Sequence, residues 1–99
     1  MNCINIIFNH EESSSNLLIL KNKIDEFCKT NSLIACGLID TFSKGEINII
    51  SNLKNIDEFI DEFKGIFSNY RMKNIEFSLS ENFASLGFPK KIIILNDNI

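Results

Sequence analysis

The sequence predicts an α+β fold, one antiparallel sheet with two helices on a single face. Three observations predict it: a strand-like alternation at the N-terminus, two stripes of helical period separated by a hairpin pattern, and a second clean alternation around residue 76. Ninety-nine residues make a single domain, 1–99, because a second core of ordinary size has no room. With 44% hydrophobic residues, 23% charged residues and one proline, the composition is that of a globular chain rather than a disordered one.

The first strand is expected over Cys3–Phe8, with Ile4, Ile6 and Phe8 on one face and Cys3, Asn5 and Ile7 on the other. A polar stretch follows whose serines can cap a helix, so a helix is expected to start near Ser14. Leu17, Leu20, Ile24, Phe27 and Cys28 then recur at helical spacing, while Lys21, Lys23, Asp25, Glu26 and Lys29 fall off that stripe. The run Leu17-Leu18-Ile19-Leu20 would also suit a strand. Thr30-Asn31-Ser32 ends the helix. Leu33–Phe42 and Glu46–Ser51 read as a hairpin turned by Ser43-Lys44-Gly45, with Gly45 available for positive φ.

Asn55, with Glu58 three residues on, resembles a capping box. Ile56, Phe59, Ile60, Phe63, Ile66, Phe67 and Tyr70 continue as a second amphipathic helix over about Ile56–Asn69, in which Gly65 would mark a close approach to the sheet. Lys73–Ser80 alternates, with Ile75, Phe77 and Leu79 on the buried side. Glu81–Lys90 is expected to be a loop, Ile92–Leu95 a last short strand, and Asn96–Ile99 a frayed end. With right-handed crossovers, this order gives a ferredoxin-like βαββαβ sheet with both helices on one face and an extra C-terminal strand.

Chemistry is sparse. Cys3, Cys28 and Cys36 form no C-x-x-C pair and His10 is the only histidine, so neither a metal site nor a cofactor is expected. The odd cysteine count suits a reducing compartment, and the three residues fall in apolar periodic segments as small buried hydrophobes. Nucleophilic catalysis would have to use His10, beside Glu11, Glu12 and Ser13–Ser15; a solvated loop and a helix cap account for the same residues, and the chain is read as a non-enzyme. Gly37, Gly45, Gly65 and Gly87 are scattered, which removes a phosphate-binding loop. The net charge of −3, the single Arg71 and the absence of tyrosine from the central strands argue against nucleic acid. No apolar run approaches the roughly 18 residues of a membrane span, and Asn5 and Asn9 interrupt any signal-peptide core, so a cytoplasmic location is expected. Eighteen Ile against no Val, nine Lys against one Arg and fourteen Asn against no Gln point to an AT-rich gene.

Two surface features remain. Asp57, Glu58, Asp61 and Glu62 lie on the polar side of the second helix with no cation before Lys64. The pairs four apart repel by a few tenths of a kcal/mol each, partly offset by the helix dipole. They form either a solvated face or a patch that meets a basic partner. The second feature is the sheet face opposite the helices, where Cys3, Asn5, Ile7, Asn48 and Ile50 would be joined by Glu76 and Ser78. It would bind a partner or a second copy through Asn5 and Asn48, unless the Glu81–Pro89 loop covers it. The resulting expectation is an acidic, non-catalytic protein-binding domain of inhibitor or immunity type that occludes a basic toxin or enzyme. The alternative is a homodimeric small-ligand-binding regulatory domain.

Overall fold

The computed structural model describes residues 1–53, 55–81 and 90–95. Strands β1 (Asn2–His10), β2 (Ile34–Asp40), β3 (Lys44–Ser51), β4 (Met72–Ser80) and β5 (Ile92–Leu95) form one sheet in the order β4-β1-β3-β2-β5. Helix α1 (Ser14–Thr30) connects β1 to β2. A 3-10 turn (Ile56–Phe59) runs into helix α2 (Ile60–Phe67) between β3 and β4.

The class is α+β, as expected, but the sheet is mixed rather than wholly antiparallel. The four strands β4, β1, β3 and β2 pair antiparallel, whereas β5 pairs parallel to β2. The register supplies the reason. Ser80 pairs with Cys3, Cys3 with Ile50 and Ile50 with Ile34, so β4 ends at the end of the sheet where β2 begins. A strand added from that end runs in the direction of β2.

One core cluster joins both helices to one sheet face. Ile4, Ile6, Phe8, Ile39, Ile47 and Ile49 of the sheet meet Leu17, Leu20 and Ile24 of α1 and Phe63 and Phe67 of α2. The helices are tied together by the Phe27 ring, edge-on to Phe59 at 5.7 Å and to Phe63 at 5.1 Å. In α1 the N-cap is Ser13, whose Oγ accepts from the Asn16 amide, and Leu18 and Ile19 lie on the exposed side of the helix. Ser32 takes a left-handed conformation (φ 58°) and the Leu33 amide returns to the Cys28 carbonyl at 2.8 Å, a Schellman closure without its usual glycine.

Several local expectations change. Asn55 makes no side-chain cap hydrogen bond, so there is no capping box, and the first turn after it is 3-10 rather than α. The β2–β3 turn falls at Thr41–Ser43, and Lys44 and Gly45 belong to β3. Gly45 stands under an aromatic ring: a Cβ built there would lie 2.2 Å from the tip of the Phe8 ring, its cross-strand partner. Gly37 is the glycine whose backbone needs positive φ (151°), and a Cβ there would meet the Glu46 carbonyl oxygen at 2.1 Å. Asn74 (φ 52°) sits in a bulge where two residues of β4 oppose Phe8. The expected fraying of 96–99 lies outside the described residues.

Gly65 does not approach the sheet, since nothing lies within 4 Å of a Cβ built there. Gly65→Ala should therefore raise the unfolding free energy by about 0.5–1 kcal/mol through helix propensity alone, as measured by urea unfolding. A loss of stability would contradict the open position.

Candidate functional site

The end of the sheet where β1 stops is held by a polar lock. His10 is 2% exposed. Its Nδ1 accepts the Glu12 amide at 3.1 Å and its Nε2 lies 2.8 Å from the Asp40 carbonyl oxygen. That pairing puts the ring proton on Nε2, which donates to Asp40, and leaves neither nitrogen free for a substrate. The Asp40 carboxylate accepts the amides of Phe42, Ser43 and Lys44 at 2.9, 2.7 and 3.0 Å through one oxygen. The Ser43 carbonyl in turn accepts the His10 amide at 2.8 Å. β1, the β2–β3 turn and the start of α1 are thus fastened together.

The neighbouring glutamates are also committed. Glu12 accepts from the Arg71 amide at 2.7 Å and the Asn16 side chain at 3.0 Å, which holds its carboxyl below the usual glutamate range, the Asn16 hydrogen bond contributing most. Glu11 pairs with Lys73, which lowers its pKa in the same direction. Glu11 is exposed and Glu12 partly so, and ion pairing at such a surface adds little stability.

The cysteines are buried thiols without partners for catalysis. Burial pushes Cys3 up to about 11 and Cys28 up to about 12, and raises Cys36 in the same direction, so none is a thiolate at neutral pH. Among the described residues no group of three or more His, Cys, Asp or Glu side chains is placed to hold a metal ion. No helix among them is long and apolar enough to cross a membrane.

The outer sheet face divides in two. Cys3, Cys36 and Ile50 form a second buried cluster at its centre, and Asn48 is only 3% exposed. Its Oδ1 accepts from Asn5 Nδ2 at 2.7 Å and from the Cys3 thiol at 3.6 Å, while Asn5 also donates to Glu46 at 3.0 Å. Asn48 therefore organises the sheet and is not presented to a partner, a correction to its expected role; Asn5 remains partly exposed as its neighbour. The open part is the next row across the strands, Glu76, Ile7, Glu46 and Leu38. The expectation that 81–89 folds over this face lies, for 82–89, outside the described residues.

The acidic residues are all exposed. Asp57 and Glu58 stand in the 3-10 turn and Asp61 and Glu62 in the first turn of α2. The ion pairs among the described residues are Lys21–Asp25 and Lys73–Glu11, so none of the four carboxylates is neutralised by one. Beside them is a hollow of about 480 Å³ lined by Asn2, Ile56, Asp57, Leu79, Ser80 and Glu81. Leu79 is 52% exposed, although alternation assigned it to the buried side. It faces the helix layer but sits on an edge strand, where the layer is only a short 3-10 turn that packs onto β1. Leu79 and Glu81 were missed because strand periodicity reports direction, and burial depends on what lies opposite.

Compared with known protein families, curated proteins and solved structures, the chain matches none.

The Asp40 carboxyl is held below the ordinary aspartate range by the Ser43 and Lys44 amides first, then by Phe42 and His10. A depressed folded-state pKa means that its stabilisation is complete above the unfolded value near about 3.9 and is lost as pH falls through the folded value. Asp40→Ala should cost about 1–2 kcal/mol at neutral pH, as for loss of a capping side chain. Urea unfolding across the acid range should show a shallower pH dependence for this variant than for the parent. Identical acid limbs would show that the carboxylate is not what holds the turn.

Proposed function

We propose that this chain is a non-catalytic protein-binding domain whose acidic end meets a basic partner, in the manner of an inhibitor or immunity protein that occludes a toxin or enzyme. The observation that carries the reading is the exposed run Asp57, Glu58, Asp61 and Glu62, without an ion pair among the described residues, beside a hollow of mixed polarity to which Ile56 and Leu79 contribute the apolar lining. Four like charges crowded into the 3-10 turn and the first turn of α2 repel one another, so their placement costs the fold a little and favours encounter with a positive surface. A hollow that sets Ile56 and Leu79 among polar and acidic groups also offers apolar contact within an electrostatically steered approach. The ring of His10 is engaged at both nitrogens and the three thiols are buried, so a binding role draws on the surface groups instead.

We further take the β1-α1-β2-β3-α2-β4 core as a ferredoxin-like plan extended by β5 beside β2. On that plan the acidic run opens the second βα crossover at one end of the sheet, away from the His10 lock.

Tagged chain should capture a stoichiometric basic protein from lysates of its native host or close relatives. With that partner in hand, replacing the four carboxylates (Asp57→Asn, Glu58→Gln, Asp61→Asn, Glu62→Gln) should slow association about ten-fold or more at low salt and flatten its salt dependence. Stopped-flow or surface-binding kinetics would read both. An unchanged association rate would overturn the role of the acidic end.

A further inference from the structure

We infer that the outer edge of β4 is a self-association surface, on which a second copy of this chain pairs antiparallel about Phe77. β4 is a nine-residue edge strand, and among the described residues no strand pairs with its outer side. Such an edge is a row of free backbone donors and acceptors, and natural proteins usually blunt it. Here the blunting is confined to one end, where Lys73 and the bulge at Asn74 interrupt the strand. The stretch Glu76–Ser80 beyond the bulge is regular in its pairing with β1.

That stretch is self-complementary. Antiparallel pairing with Phe77 opposite its own copy sets Ile75 opposite Leu79 and Glu76 opposite Ser78, each pair on one face. No carboxylate faces its twin, and a serine hydroxyl can donate to each Glu76. Shifting the register by two would put Glu76 opposite Glu76 or bring Ile75 against Glu81.

The helix-side row supplies the packing. Ile75 and Phe77 line a hollow of about 400 Å³ between α2 and β4, together with Phe67, Tyr70 and Met72, and with Lys64 whose Nζ lies 5.7 Å from the centre of the Phe77 ring. The pairing brings the partner's Leu79 alongside Ile75 at the mouth of this hollow. Leu79 is also the large apolar side chain of β4 left exposed by the monomer. The exposed Leu79 of each copy thus meets the hollow between α2 and β4 of the other, twice by symmetry.

Self-association is measured without any other protein, and Ser78→Glu, outside the hollow beside the acidic run that Leu79 lines, keeps its outcome separate from that of the acidic-end reading. Sedimentation equilibrium or light scattering on the full chain at high micromolar concentration should give twice the 11.3 kDa chain mass. Leu79→Lys and Ser78→Glu alter exposed side chains, and each should return the monomer mass while circular dichroism shows the fold kept. A monomeric parent would overturn the proposal, as would a dimer that both substitutions leave intact. If either variant fails to fold, amide exchange on the parent at low and high concentration decides instead. Protection of 75–79 that rises with concentration supports the pairing, and protection that does not rise contradicts it.

Discussion

The Phe8 ring lying on Gly45 is the contact on which the arrangement of the other elements depends. Phe8 is fully buried near the end of the interior strand β1, and its ring occupies the space that a side chain on the opposite β3 residue would take. It also packs on Phe67 of α2 at 5.2 Å and on His10 at 6.3 Å. One side chain therefore registers β1 against the hairpin, sets the distance of α2 from the sheet and backs the ring that locks the β2–β3 turn. Close-packed interiors have little room to absorb an added atom, so a methyl group at position 45 is felt by all three elements.

Most of the polar chemistry of the chain is consumed in the same neighbourhood. His10, Asp40 and Glu12 each spend their hydrogen-bonding capacity on backbone groups of the turn, of the start of α1 and of the loop before β4. On the outer sheet face Asn5 and Asn48 hydrogen-bond to each other's side chains, beside the buried Cys3 and Cys36. Among the described residues, the carboxylates of Asp57, Glu58, Asp61 and Glu62 face solvent at the opposite end of the sheet, and so does Leu79 on the β4 edge. A surface of that kind is suited to recognising another macromolecule.

The two halves of this picture were unequally legible in the sequence. The apolar stripes of α1 and of the stretch from Ile56 to Phe67 named the core residues, because helical period alone sorts Leu17, Leu20, Ile24, Phe63 and Phe67 to one side. The exposure of Asp57, Glu58, Asp61 and Glu62 followed from the same period. Gly45 was not legible: a glycine after serine and lysine is a turn signal, and its true role depends on a cross-strand register between residues far apart in the chain. Asn48 and Leu79 were misplaced for a related reason. Strand alternation assigned each to a face correctly, but Asn48 lies in a buried central row and Leu79 at an edge, and neither position is written in local sequence. The parallel β5 likewise depended on which end of the sheet β4 reaches.

The most direct measurement of the dependence on Phe8 and Gly45 is a double-mutant cycle of Gly45→Ala and Phe8→Leu, followed by urea unfolding. Leucine lacks the three ring atoms that come within 3 Å of a Cβ at position 45. The added methyl should cost about 1–3 kcal/mol in the parent. In the Phe8→Leu background it should cost much less, giving a coupling of about 0.5–3 kcal/mol. Equal costs in the two backgrounds would contradict the account, because they would place the constraint at position 45 in the backbone and not in the ring above it.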